Sequence, residues 1–228
     1  MRADGILFDK DGTLFDFDAT WVAWIEAAIA RWAGDDAGRR RAMADAVGFD
    51  LDRRVFDHSS VIIAGTPQEA AEAVAPVLGM GVAELAAQMN EEAARAPMVE
   101  AVALSPLLSA LRRRGLRLGV ATNDGEAPAR AHLVAAGVLD RFDFIAGSDT
   151  GHGAKPEPGM CAAFAAAVAL APGRVVMVGD SRHDLLAGRA AGMQVVGVLT
   201  GPASADDLAP FADAVLPDIG HLPAWLAG

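Results

Sequence analysis

Cysteine is almost absent from this chain: of 228 residues, only Cys161 is one. That excludes an internal disulfide framework and suits a reducing compartment. With no histidine beside it in sequence, Cys161 reads as a buried spectator. Long apolar runs are missing too. Hydrophobic residues make up 53% of the chain, yet none of the runs reaches the ~18 residues of a membrane-spanning helix. The N-terminus leads almost at once into an apolar strand, without the layout of a signal peptide, so a cytoplasmic location is expected. Positive charge is outnumbered, with 19 Lys and Arg against 30 Asp and Glu and a formal net charge of −11. This argues against a nucleic-acid or anionic-membrane surface. The arginines at 39–41 and 112–114 fall in helical stretches among alanines and read as solvated helix faces. Lysine is scarcer still, at Lys10 and Lys155 alone. No His or Cys cluster has the spacing of a zinc site.

What is present alternates. From about residue 99 onward, helical stretches at 104–114, 127–136, 158–170 and 185–191 separate apolar strands at 116–121, 142–145, 174–179, 194–199 and 214–216. Strands and helices in this rhythm predict a parallel, Rossmann-like sheet with helices on both faces. The opening strand at 5–9 belongs to it by character. Residues 18–98 break the rhythm: Trp21, Trp24, Ile25, Ala28, Ile29 and Trp32 recur at helical spacing, and no strand is evident. The expected organisation is an α/β core of residues 1–17 and 99–228 carrying an inserted all-helical cap at 18–98. The tryptophan stripe reads as the core of that cap in preference to a ligand cage.

Ligands of an open parallel sheet bind at the carboxyl ends of its strands, and four strand ends here are polar. Asp9 and Asp11 follow the first, Thr122 and Asn123 the second. A glycine-rich loop and Lys155 follow the third, and Asp180, Ser181 and Asp184 the fourth. Carboxylates sharing a pocket raise one another's pKa and need a compensating cation beyond one lysine. Oxygen donors of this kind suit Mg²⁺, so Asp9, Asp11 and Asp180 are the expected metal site. Mg²⁺, an ammonium and a threonine hydroxyl together fit a phosphoryl group. Of the two carboxylates at 9 and 11, one can attack phosphorus and the other can move the leaving-group proton. Gly12 permits the turn between them, and Thr13 is expected to hold it through its hydroxyl.

These residues resemble the haloacid dehalogenase-like hydrolase superfamily. Asp9-Lys10-Asp11-Gly12-Thr13-Leu14 is similar to its first motif, and Val120-Ala121-Thr122-Asn123 to its second. Lys155-Pro156 is similar to the third, and Val178-Gly179-Asp180-Ser181 with Asp184 to the fourth. The resemblance implies Asp9 as nucleophile, Asp11 as general acid and base, and Thr122, Asn123 and Lys155 as phosphate-binding residues. It implies Mg²⁺ held by Asp9, the Asp11 main-chain carbonyl and Asp180, supported by Asp184. A helical cap after the first motif is similar to the phosphoglycolate phosphatase-like subgroup, although Phe15-Asp16-Phe17-Asp18 departs from the Val-Asp-Ser common there. The implied activity is hydrolysis of small phosphate monoesters, with 2-phosphoglycolate as the ester suggested, by a monomer or homodimer.

Relatives with other chemistry are weighed by the same residues. Dehalogenases lack the second aspartate, present here as Asp11. Phosphonoacetaldehyde hydrolases need a cap lysine, and residues 18–98 contain none. A sugar phosphomutase stays open as the alternative enzyme. A phospho-aspartate signalling protein is the alternative from another class, though receiver domains are shorter and have no insert. Arg53, Arg54 and His58, in a polar stretch of the cap, are candidates for substrate selection, and His183 for the rim. Lys10 is expected to point away and has no assigned role. His132, His152 and His221 are expected to be surface or packing residues.

Overall fold

The computed structural model describes residues 2–228. The first strand, β1 (Gly5–Phe8), is buried throughout. Its alternate residues enter different cores. Ile6 and Phe8 pack with Leu104, Leu108, Leu118, Val120 and Val176. Leu7 packs with Phe164, Met177, Leu185 and Val195. Alternation of this kind is what a strand covered on both faces requires.

The insert follows β1. It comprises α1 (Phe17–Ala33), α2 (Ala37–Val47), β2 (Phe49–Asp50), β3 (Val55–Phe56), α3 (Val61–Ala64), α4 (Pro67–Leu78) and α5 (Val82–Ala93). It has its own core, in which Trp21, Trp24, Ile25, Ala28 and Ile29 meet Val74, Leu85 and Met89. Asp16 starts α1 by accepting from the Ala19 N–H at 2.8 Å. Thr66 and Glu69 close a reciprocal capping box at the start of α4, satisfying orphan N–H groups. The antiparallel β2–β3 pair departs from the all-helical expectation. With two residues in each strand it is too short to leave a period in the sequence.

The chain then returns to the sheet through α6 (Leu104–Arg113), β4 (Arg117–Ala121), α7 (Glu126–Ala135), β5 (Phe144–Ala146) and α8 (Gly159–Ala167). It continues through β6 (Val175–Gly179), α9 (Arg182–Ala190), β7 (Gln194–Val198), α10 (Ala205–Leu208), β8 (Ala214–Leu216) and α11 (Leu222–Trp225). The six strands run parallel in the order β5-β4-β1-β6-β7-β8. Register aligns the functional edge: Phe8 lies level with Val120 of β4 and Val178 of β6. Asp9, Thr122 and Asp180 therefore emerge side by side, one or two residues later. No single helix among the described residues is long and apolar enough to cross a membrane.

Candidate active site

Asp9 leaves β1 with its N–H donating to the Val178 carbonyl at 2.8 Å. The next residues turn tightly. The Gly12 N–H donates to the Phe15 carbonyl at 2.7 Å, and the Leu14 N–H to the Lys10 carbonyl at 2.9 Å. Gly12 has φ +73°, and a Cβ there would stand 2.4 Å from Asp180 Oδ2. Glycine is thus required both for the turn and for the approach of Asp180. The turn is held from outside by the Thr200 hydroxyl, which donates to the Gly12 carbonyl at 2.6 Å. The Thr13 hydroxyl, expected to do this, is buried without a partner.

Lys155 comes to this edge from the loop after β5 and is 5% exposed. Its Nζ donates to Asp9 Oδ1 at 2.5 Å, Asp184 Oδ1 at 2.6 Å and the Ala121 carbonyl at 2.8 Å. An ammonium has three protons, and all three are used. Asn123 fixes the lysine's main chain. Its Oδ1 accepts from the Lys155 N–H at 2.8 Å and its Nδ2 donates to the Lys155 carbonyl at 2.9 Å. The same Nδ2 donates to the Ala64 carbonyl of the insert at 2.7 Å. The Asn123 side chain is thereby committed to structure, not aimed at a phosphate. The Thr122 hydroxyl accepts from the Asp124 N–H at 3.1 Å, which leaves its proton to donate.

Asp184 sits one turn into α9, where it forms a capping box with Ser181. Its Oδ2 accepts from the Ser181 N–H at 3.0 Å and hydroxyl at 2.6 Å. Carboxylate oxygens of Asp9, Asp180 and Asp184 lie within 4.8 Å of one another, all three residues buried. Burial pushes the Asp9 carboxyl up to about 7, with Asp184 and Asp11 adding to the rise against the opposing pull of Lys155. Burial, then Asp9 and Asp184, drive Asp180 well above the usual range. Burial alone would lower Lys155, but Asp184 and Asp9 outweigh it and hold the ammonium charged. One lysine does not neutralise three packed carboxylates. A hard, oxygen-ligated divalent cation fits this donor set. Asp184 already spends both oxygens on Lys155 and Ser181, which suits a supporting position.

Asp11 also lines the cleft, and its Oδ2 pairs with Lys10 Nζ at 3.1 Å. Lys10 is not among the residues that line the cleft, yet it is fully buried and has a structural role that the sequence-based expectation did not give it. Besides Asp11, its Nζ meets Asp124 Oδ2 at 2.7 Å and His132 Nδ1 at 2.9 Å, and it lies 5.6 Å from the Trp21 ring centre. His132, expected to serve surface or packing, belongs to this charged cluster. The signal for Lys10 in the sequence was scarcity: each of the chain's two lysines is a buried ammonium with three polar neighbours.

The selection residues expected from the cap are not brought together. Arg53 and Arg54 do not line the cleft, and both are exposed. Arg54 instead grips Glu26 with two hydrogen bonds of 2.6 and 2.7 Å. His58 lines an adjoining opening with Arg182 and Asp207, while His183 borders both spaces. His152 and His221 lie away from the cleft. Trp21 and Trp24 do two jobs, since they are in the insert's core and also wall the cleft.

The sequence pattern of the haloacid dehalogenase-like hydrolases matches residues 6–198. The chain belongs to this family. The hydrolase is 30% identical over 214 residues to a Dickeya dadantii (strain 3937) protein named Probable phosphatase IndB, a match covering 93% of this chain and 88% of that one. It is 38% identical over 120 residues to a Rhodospirillum rubrum phosphoglycolate phosphatase, which covers 53% of this chain and only half the length of the relative. The fold of the hydrolase is also that of a crystal structure described as a predicted phosphoglycolate phosphatase from Haemophilus somnus 129PT. There the TM-score is 0.72 at 20% identity, with 99% of each chain covered.

Proposed function

We propose that this hydrolase is an Mg²⁺-dependent phosphatase of small organic phosphate monoesters that works through a phosphorylated Asp9. The observation that carries the reading is the Lys155 ammonium shared between Asp9 and Asp184, in a cleft also lined by Asp180 and Asp11. Asp9, Asp180 and the Asp11 main-chain carbonyl would hold the ion, with Asp184 behind them. When bound, the ion supplies positive charge that offsets the carboxylates and the phosphoryl oxygens.

In this reading Asp9 attacks phosphorus, and Lys155 orients its carboxylate and opposes the rise in its pKa that burial causes. Thr122 donates its hydroxyl proton to a phosphoryl oxygen. Asp11 gives a proton to the departing alcohol, then takes one from the water that hydrolyses the aspartyl phosphate. The alcohol and inorganic phosphate are the products. A sugar phosphomutase would retain the phosphoryl group and would present polar side chains to a hydroxyl-rich ring. The wall facing the site is mostly apolar, which favours the phosphatase.

Asp9→Asn should abolish phosphate release, measured with Mg²⁺ across a panel of small esters that includes 2-phosphoglycolate, while the circular dichroism spectrum stays unchanged. A variant that kept its rate would remove Asp9 as nucleophile. A stable phospho-Asp9 without released phosphate would favour the signalling alternative.

A further inference from the structure

The two halves of the cleft differ in chemistry. The core contributes Asp9, Asp11, Asp124, Asp180, Asp184 and Lys155 together with Thr122, Asn123, Ser181 and His183, whereas every residue contributed by the insert is uncharged. The largest of these are Trp21, Trp24, Ile62, Ile63 and Met89. Thr66 and Asn90 are the polar side chains among them, and Thr66 is occupied by its capping box with Glu69. The indole N–H groups of Trp21 and Trp24 are buried and have no partner, and neither does Asn90 Oδ1. Buried polar atoms are normally satisfied, and all three unpartnered groups belong to side chains that line the cleft.

No lysine or arginine with a free donor faces the leaving group, and His183, the one other basic side chain of the cleft, is on the core side between Asp180 and Asp184. Lys155 has no proton left to donate. Lys10 is not part of the cleft wall and faces Asp11, Asp124 and His132. Arg54 is held by Glu26. Arg182 lines the adjoining opening and stacks over Phe211 at 4.7 Å. An ester with a carboxylate beside its phosphate would therefore place a second anion against an apolar wall, facing several aspartates. Burying an unpaired charge is strongly unfavourable, while an apolar group gains by leaving water.

We propose that the preferred substrate is a phosphate monoester of a neutral, largely apolar alcohol, aromatic or branched alkyl, carrying at most neutral hydrogen-bonding groups. Small anionic esters, 2-phosphoglycolate included, are poor substrates. This rests on the phosphatase reading, but it concerns the wall opposite the phosphate and can be tested without turnover.

The binding test uses non-hydrolysable phosphonates with the wild-type protein and Mg²⁺, read by calorimetry. 2-Phenylethylphosphonate mimics benzyl phosphate, and 3-phosphonopropionate mimics phosphoglycolate. The expected result is at least tenfold tighter binding of the phenyl compound, with tryptophan fluorescence changing on binding, and at least tenfold higher kcat/KM for benzyl phosphate than for phosphoglycolate. Equal or tighter binding of 3-phosphonopropionate, or no binding of either, would overturn the proposal. If the phenyl compound binds preferentially and neither ester is hydrolysed, the specificity holds and the phosphatase reading fails. Ile62→Arg supplies the missing cation and should narrow or reverse the preference. An unchanged preference would also count against the proposal.

Discussion

Lys10 Nζ lies 2.9 Å from His132 Nδ1, and the contact sets the tautomer of the ring. A lysine ammonium can only donate, so Nδ1 accepts and the proton resides on Nε2. Nε2 accordingly donates to the Ala93 carbonyl at 2.7 Å, the last residue of α5 in the insert. Burial, reinforced by the charge of Lys10, lowers the His132 pKa and keeps the ring neutral. Asp11, Lys10, His132 and Ala93 thus form one connected chain from the cleft to the insert.

Replacing Lys10 with Met should strip Asp11 and Asp124 of their buried counter-charge. Breaking a buried pair in this way costs about 3–5 kcal/mol, measurable as a lower urea midpoint. The catalytic effect should depend on the ester. Hydrolysis of alkyl phosphates, which need Asp11 to protonate a poor leaving group, should fall at least tenfold more than hydrolysis of p-nitrophenyl phosphate. An equal loss on both would mean that Lys10 does not position Asp11.

Asp180→Asn removes a carboxyl that burial and the neighbouring Asp9 and Asp184 hold in an unfavourable state. The metal-free variant should be more stable than the metal-free wild type by about 1–2 kcal/mol, the size of a typical relieved strain. The order should reverse with Mg²⁺. At a hundredfold excess over Kd the ion should stabilise the wild type by about 2.7 kcal/mol and the variant little. Thermal unfolding with and without chelator checks both halves, and an equal Mg²⁺ shift in the two proteins would exclude Asp180 as a ligand.

Asp143 anchors the edge strand. Its N–H donates to the Leu118 carbonyl at 2.7 Å, and its Oδ2 accepts from the Leu118 N–H at 3.0 Å. Arg112 and Arg117 pair with the same carboxylate. Burial alone would raise its pKa, but the Leu118 N–H and the two guanidinium groups outweigh that and hold it below the usual range. Because the folded carboxyl ionises more readily than the unfolded one, its stabilisation is present above the unfolded value of about 3.9. It is lost as pH falls through the lower folded value. Asp143→Ala should therefore cost about 1–2 kcal/mol at pH 7, with the gap to wild type closing in acid. Urea titrations at pH 7 and pH 3 make the comparison, and a gap independent of pH would rule out the ionised form as the stabilising species.

The sheet was legible because its strands are short apolar runs, and since β1, β4 and β6 lead into Asp9, Thr122 and Asp180, parallel register then leaves little freedom over where these three meet. Lys10 was illegible because its partners Asp124 and His132 lie 114 and 122 residues away. Nothing local says that a side chain between two aspartates will be enclosed. The tryptophan stripe was ambiguous for a different reason. The insert is so thin over the site that one helix face serves its core and the cleft at once. Arg53 and Arg54 misled because a polar loop gives no sign of its direction. Arg54 adopts φ +58° and reaches outward to Glu26.

Asn123 touches both parts of the molecule, but unequally. Two of its side-chain hydrogen bonds hold the main chain of Lys155 within the core, and one reaches Ala64 of the insert. Were the Ala64 contact broken, the lysine would keep its clamp and its grip on Asp9 and Asp184. In the proposed function, reactivity thus belongs to the sheet edge and discrimination to the insert. On that reading the insert's wall could vary through evolution while the clamp of Asn123 on Lys155 stayed in place.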